Sequence, residues 1–541
     1  MESTLPAKNI PPTSEETHTT SDQDPIQKKI DKRQSKELVI AFSGALGSGI
    51  PSTITHFSSK IELAGYKVVP IKISDGIKDA FAAVKKNKNT TLPVNIRSIN
   101  TNDLEGASRY EKLQDLGNYF RGKFEHNILA QYAIRQIAYH RIKEASVSQT
   151  KETDPTLLNI DPIDYAVNYF IPSKTVYLVD QLKHHSEVEL LRDTYGDIFY
   201  LLGNICTYDE RKRNLCSESM DDVTAASLME RDRKEDEKNG QQLEKTLQLS
   251  DYFIKNIQQN IASLNSQIDR FINIIHQTKV ITPTKEEYGM YTAYSAALES
   301  ACLSRQVGAC IINKDEDVIA TGCNDVPMFN GGLYRYTSED DYRCFNKNGI
   351  CYNDDYKQRK IKNNLEKILK NHGVNNPEEI VNEMYESTRL RDLIEFSRAI
   401  HAEMDAITSL ARRGGNSTQG CVLFTTTFPC HNCARHIVAS GITKVVFIEP
   451  YEKSLAIELH GDSISIENTS PNKVIFTHFV GVAPRRYQDF FLSNSDRKDS
   501  TGKAITNKEY TLKPKIHEFL DSYRNMETKI TEHFNKSVLT E

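Results

Sequence analysis

The 541-residue chain has no tryptophan, few cysteines and no long apolar run. Ten cysteines are too sparse for a disulfide scaffold, which indicates a reducing compartment. No stretch approaches the ~18 consecutive apolar residues of a membrane span, so insertion in a bilayer is excluded. Positive charge is also in short supply. Lys and Arg number 68 against 73 Asp and Glu, a net −5, and without tryptophan or a basic stripe the chain lacks the channel of a polynucleotide binder. Met1 to Gln34 carries four prolines and no apolar signal core, and reads as a disordered tail rather than an export signal. These traits point to a cytoplasmic protein. Its 38% apolar content suffices for packed cores, and its length suggests about three domains.

One constellation names a chemistry. His401-Ala402-Glu403 precedes Pro429-Cys430-His431-Asn432-Cys433, with Cys430 27 residues beyond Glu403. This is the H-x-E…P-C-x-x-C pattern of zinc deaminases. One imidazole and two thiolates leave the fourth position of a tetrahedral Zn2+ open, the mark of a catalytic zinc. His401, Cys430 and Cys433 are therefore the expected ligands, and Glu403 the residue that moves protons. A structural zinc would need a second Cys/His pair at matching spacing, and none is obvious. Ile400, Met404, Ile407 and Ala411 recur at helical intervals, which predicts a helix over about 400–412 with that stripe buried. In the same way Tyr291, Tyr294, Ala297, Leu298 and Ala301 predict the core stripe of a helix over 290–303. Cys421 to Thr425 is β-prone, Pro429 punctuates, and a helix closed by Gly441 follows. Cys430 and Cys433 are thus expected at a helix N-terminus, which favours thiolate over thiol. His431 is expected to be exposed. The metal pattern alone admits cytosine, adenine, guanine or a pyrimidine precursor of riboflavin.

Around this core the C-terminal half resembles the deoxycytidylate deaminase family. Ser304-Arg305-Gln306-Val307-Gly308-Ala309, and a strand-turn-strand leading to Thr321-Gly322-Cys323-Asn324, are similar to that family's first hairpin. The resemblance implies that Arg305 contacts the nucleotide phosphate and Asn324 the sugar, and it tilts the substrate towards a deoxycytidine nucleotide. Guanidinium forks suit phosphate oxygens, and an amide can both donate to and accept from a hydroxyl. Cys323 stands where the family usually has an aromatic residue. Lys444 to Tyr451 reads as a strand entering a loop, where Lys453 and Ser454 suit the outer phosphates of a triphosphate. Val480 to Tyr487 resembles a closing motif of the same branch, with Arg485 and Arg486 as further phosphate candidates.

In the N-terminal half a strand over 37–42 runs into Gly44-Ala45-Leu46-Gly47-Ser48-Gly49, placed as a P-loop would be. Ile50 and Pro51 occupy the positions of the phosphate-binding lysine and the metal-binding hydroxyl, so phosphoryl transfer is not expected. The turn, through Gly44, Gly47, Ser48 and Gly49, remains a candidate to cradle a nucleotide phosphate. Lys174 to Asp180 reads as a strand ending in an acid, as a Walker-B strand does. Residues 197–203 and 251–256 read as further strands, and 229–235 resembles a kinase lid. Alternating strands and helices predict a parallel sheet with helices on both faces.

A degenerate P-loop kinase-like domain joined to a deaminase-type zinc domain resembles the bacterial anti-phage dCTP deaminases over nearly the whole length. The implied α/β architecture has a disordered tail over 1–36 and a regulatory domain with a kinase-like parallel sheet over 37–258. A linker helix over 259–284 leads to a cytidine deaminase-like α/β/α sandwich with a five-stranded mixed sheet over 285–495. That sandwich carries an insertion at about 330–398, and a tail with one helix near 513–534 follows over 496–541. The resemblance also implies zinc-dependent conversion of dCTP, and of dCMP, to the deoxyuridine nucleotides as a defence against phage. A homo-oligomer is implied too, as is control by a regulatory nucleotide or an inhibitory RNA or other ligand at the first half. Editing of cytidine in single-stranded nucleic acid and a bifunctional nucleotide kinase and deaminase stay open on the sequence. Cys344 and Cys351, separated by six residues, are more widely spaced than C-x2-4-C and read as thiols rather than a second zinc site.

Overall fold

The computed structural model describes residues 25–86, 92–106, 109–217, 220–234, 242–257, 260–388, 390, 393–450, 454–467, 472–492, 497–498, 500–504 and 518–522. Twelve strands are found among the described residues. They are β1 (Leu38–Gly44), β2 (Lys67–Ile71), β3 (Thr175–Val179), β4 (Phe199–Ile205), β5 (Tyr252–Lys255), β6 (Gly308–Ile312), β7 (Val318–Cys323), β8 (Val422–Thr427), β9 (Lys444–Glu449), β10 (Ile464–Ile466), β11 (Val474–His478) and β12 (Gly481–Val482).

The first sheet has the order β12-β5-β4-β1-β3-β2. It is parallel except at β12, which pairs antiparallel with β5. Every residue of β1, β3 and β4 is buried, which explains why these strands read as unbroken apolar runs rather than alternating ones. β1 lies between β3 and β4, neither of them its neighbour in sequence. The glycine-rich turn after β1 therefore leaves the carboxyl end of the sheet where the strand order switches, the usual place for a ligand in an open α/β sheet. Among the described residues no helix is long and apolar enough to cross a membrane.

The expected linker proves to be structural core. Its helix, Ile261–His276, buries Leu264, Ile268, Phe271, Ile272 and Ile275 in the core of the first sheet. Phe271 packs among Phe57, Tyr200 and Tyr252 at ring-centroid distances of 6.1, 5.7 and 5.2 Å. Burying a ring of this size contributes about 1.5–3 kcal/mol. An amphipathic helix with such a stripe cannot remain solvated as a spacer.

The second sheet is mixed and has six strands where five were expected, in the order β10-β11-β9-β8-β6-β7. The added edge strand, β10, is three residues long and too short to leave a periodic signal. β6 is antiparallel to both β7 and β8, and the remaining pairs are parallel. Alternate residues serve different cores, as the pleat requires. Ala309, Ile311, Leu423 and Val445 pack with Ala402 and Ala406, whereas Cys310, Ile312, Phe424 and Val446 pack with Met290 and Ala293.

Both stripes anticipated on the flanking helices are turned. In the helix Ala402–Arg413 the buried residues include Ala402, Ala406, Ser409 and Leu410, while Met404 and Ile407 are only partly buried. The cause is Gly322 of β7: a Cβ there would collide with the Ala402 carbonyl and the Ala406 amide. Backbone meets backbone, so only small side chains fit between. In the helix Lys285–Ala297 the buried set includes Met290, Ala293 and Ala297, and Leu298 is exposed. Gly289 there sits over the Phe424 ring.

The halves expected to divide near residue 285 share structure. β12, from the C-terminal half, completes the first sheet, and Val482 and Phe490 belong to its core. Asp251, 1% exposed, receives Arg192, Arg485 and Arg486. Among the described residues, contacts define one compact unit within 37–141 and 173–516, which holds both sheets, and a second within 1–36, 142–172 and 517–541. The second unit contains a short helix, Ile26–Asp31, inside the stretch expected as a disordered tail. In it Arg33 pairs with Asp521 at 3.2 Å, and Gln34 bridges Phe519. The helix expected at 513–534 lies outside the described residues except for 518–522.

Candidate metal centre and nucleotide pocket

Two helix N-termini converge at the His-x-Glu and Cys-x-x-Cys segments. His401 is the N-cap of the helix Ala402–Arg413, in extended conformation and with no capping bond from its ring, so the imidazole is free to point elsewhere. Cys430 is the N-cap of the helix His431–Ala439, and its sulfur accepts the Cys433 amide at 3.4 Å. The partly positive helix end favours negative sulfur there.

The Cys430 and Cys433 sulfurs lie 3.3 and 3.4 Å from His401 Nδ1. Tetrahedral zinc with bonds of about 2.3 Å to sulfur and about 2.0–2.1 Å to nitrogen would separate them by about 3.6 Å. The donor set and its spacing therefore fit zinc. Among the described residues His401, Cys430 and Cys433 are the group of His, Cys and acidic side chains close enough to hold one ion. Cys344 and Cys351 do not enter such a group, and His431 is half-buried and lies outside it.

Zinc binding would displace protons from this cluster, because a metal takes neutral imidazole and thiolate. Hydrogen bonds from Cys433 and then His401 hold the Cys430 thiol well below its ordinary range, while the bond with Cys430 raises both the Cys433 thiol and the His401 imidazole, the latter to about 9. Glu403 is 4% exposed, and burial raises its carboxyl above the ordinary range. Its Oε2 is 3.5 Å from Cys433 Sγ, so the carboxyl stands beside the metal-ligand cluster without belonging to it.

The hairpin residues meet as well. Asn324 Oδ1 accepts the Val307 amide at 2.7 Å, and its Nδ2 donates to the Arg305 carbonyl at 2.8 Å, which locks the Arg305 block to the end of β7. Arg305 is half-exposed and pairs with Glu449 at 3.6 Å. Glu449 was not anticipated, although an acid closing a strand just before Pro450 is a visible signal. It also accepts the Thr427 hydroxyl at 3.2 Å, and burial raises its carboxyl against the pull of Arg305. Thr426 was missed too; its hydroxyl accepts the Gly308 amide at 3.2 Å.

Other candidates are spoken for. The Ser454 hydroxyl donates to the Pro429 carbonyl at 2.8 Å, and Lys453 lies outside the described residues. Arg485 and Arg486, read as phosphate contacts, are instead bound to Asp251. In the first half Asp180 accepts the Ile73 amide at 2.8 Å and so caps the helix Ile73–Lys86.

Residues 283–449 match the family model described as the cytidine and deoxycytidylate deaminase zinc-binding region. The matched span holds His401, Glu403, Cys430, Cys433, Arg305, Asn324 and Glu449. Deoxycytidylate deaminase of Enterobacteria phage T4 is 31% identical over 165 residues, 30% of this chain and 76% of that protein. The phage T2 enzyme of the same name is 32% identical over 165 residues, 30% of this chain and 78% of that protein. The crystal structure of dCMP deaminase from the cyanophage S-TIM5 is 18% identical, with a TM-score of 0.21, and covers 36% of this chain and 99% of that one. With a zinc-compatible cluster inside the matched region, the chain belongs to the deoxycytidylate deaminase family, a family of hydrolytic, zinc-binding enzymes.

Proposed function

We propose that this chain hydrolyses the exocyclic amino group from deoxycytidine nucleotides, converting dCMP and dCTP to the deoxyuridine nucleotides with release of ammonia. The observation that carries the reading is the position of Glu403, buried and 3.5 Å from Cys433 Sγ at the edge of the His401, Cys430 and Cys433 cluster. Zinc held by those three residues would supply Lewis acidity that brings the pKa of water from about 15.7 towards about 7. Glu403 takes the proton of the attacking water and passes protons to the ring nitrogen and to the departing amine. The C4–N bond breaks, a carbonyl forms, and ammonia leaves. Burial raises the Glu403 carboxyl above its ordinary range, which favours its holding a proton between transfers.

Arg305 is assigned to the substrate phosphate, because it is a half-exposed guanidinium whose ion-pair partner, Glu449, a phosphate can replace. Asn324 uses one hydrogen bond at each end of its amide to hold the loop, and each end retains one more position for a sugar hydroxyl. Lys453 is kept as a candidate for the outer phosphates of dCTP. In the same reading the chain assembles as a homo-oligomer. The first half restrains activity through a nucleotide or an inhibitory RNA or other ligand, and the biological effect is depletion of dCTP during phage infection.

Product analysis on zinc-loaded protein tests the chemistry, with dCMP, dCTP, CTP and a cytidine-containing single strand offered beside the Glu403→Ala variant. Deamination of the deoxycytidine nucleotides alone, lost in the variant, is expected. Editing of the strand alone would overturn the substrate. Cellular dCTP after phage infection, compared between wild type and Glu403→Ala, tests the defence role.

A further inference from the structure

The glycine-rich turn after β1 is filled by a side chain from elsewhere in the same unit. The Leu46 amide donates to Asp232 Oδ2 at 2.7 Å, across 186 residues of sequence. Asp232 is 4% exposed and comes from the helix Asp222–Lys234. Its Oδ1 accepts Lys183 Nζ at 3.2 Å and Gln114 Nε2 at 3.4 Å, and Arg211 stands 4.0 Å from Oδ2. The two cations also grip the turn itself. Lys183 Nζ donates to the Gly44 carbonyl at 2.9 Å, and Arg211 Nε donates to the Leu46 carbonyl at 2.8 Å.

A backbone amide, an ammonium and a guanidinium around one oxyanion form the donor set that recognises phosphate. The ammonium is in place although Ile50 stands where a P-loop lysine would, because Lys183 brings it from the segment after β3. One carboxylate thus faces a buried ammonium and a partly buried guanidinium, a pair that a more highly charged anion can satisfy. Gly47 and Gly49, at φ of 79° and 77°, shape the turn. Between them the Ser48 hydroxyl, in a residue 2% exposed, has no hydrogen-bond partner among the described residues. A buried hydroxyl without a partner is costly unless something completes it. The helix carrying Asp232 joins a small cluster of Leu46, Leu215, Met220, Ala225, Leu228 and Met229, separate from the main core, so it can part from the turn without opening that core.

We infer that the turn is a binding site for a di- or triphosphate group held shut by Asp232, and that such a group binds by displacing the Asp232 carboxylate and the helix Asp222–Lys234. The inference is independent of the deamination chemistry. Full-length wild type and Asp232→Asn are titrated by calorimetry with inorganic tripolyphosphate and with ATP, which share the phosphate chain and differ in the nucleoside. Removing the internal competitor raises the binding-competent fraction. Binding of one or both ligands is expected to tighten about tenfold or more in Asp232→Asn and to lose that gain when Lys183→Met is added. A stronger gain for ATP identifies a nucleotide site, and an equal gain a site for the phosphate chain alone. A folded Asp232→Asn protein that binds neither ligand more tightly than wild type would overturn the inference. If that variant does not fold, hydrogen exchange of the wild type decides. Faster exchange over 222–234 with saturating tripolyphosphate or ATP is expected, and unchanged exchange there with both overturns the inference.

Discussion

Arg305 and Glu449 meet at 3.6 Å, a guanidinium ahead of β6 and a carboxylate at the end of β9. If Arg305 binds the substrate phosphate, Glu449 competes for it. Glu449→Gln is then expected to lower KM for dCMP several-fold with a smaller change in kcat. Arg305→Ala should raise KM for dCMP by about tenfold to a hundredfold, the equivalent of one lost charge-assisted hydrogen bond, and leave deoxycytidine itself little affected. Steady-state kinetics on nucleotide and nucleoside checks both, and equal effects on the two substrates would remove Arg305 from the phosphate.

Gly322→Ala should cost about 1–3 kcal/mol, because its methyl group would press on the Ala402 carbonyl and the Ala406 amide and lift the helix that follows His401. Thermal unfolding and zinc content together check this. A variant with unchanged Tm and full zinc would show that the approach of backbone to backbone is not needed.

Acid should weaken the contact between the sheets at Glu467. Burial pushes its carboxyl up, but hydrogen bonds from His478 and Lys255 outweigh that and hold it at about 2. The folded value lies below the unfolded one of about 4.3. The contribution is therefore complete above about pH 5 and lost as pH falls towards 2, up to about 3 kcal/mol in all. Denaturant titrations of wild type and Glu467→Gln should differ at pH 7 and converge near pH 2. A gap independent of pH would contradict the assignment.

The metal centre was legible because four residues at fixed spacing carry its chemistry, and β1, β3 and β4 were legible as apolar runs. Packing direction was not. Periodicity picked the large residues Ile400, Met404 and Ile407, but Gly322 brings the helix so close that Ala402 and Ala406 face the sheet. Arg485 and Arg486 looked like phosphate ligands because the Asp251 that binds Arg485 is 234 residues away. β10 and β12, three and two residues long, leave no period to read. The Asp232 contact with the turn joins segments with no shared local signal.

The most direct measurement is the turnover of dCMP by Glu403→Gln at zinc occupancy matched to wild type. The proposed role of Glu403 predicts about one zinc per chain in both proteins and a loss of about 10²–10⁴-fold in turnover, the range of general acid–base catalysis. A fully loaded Glu403→Gln enzyme that turns over dCMP within about threefold of wild type would contradict it.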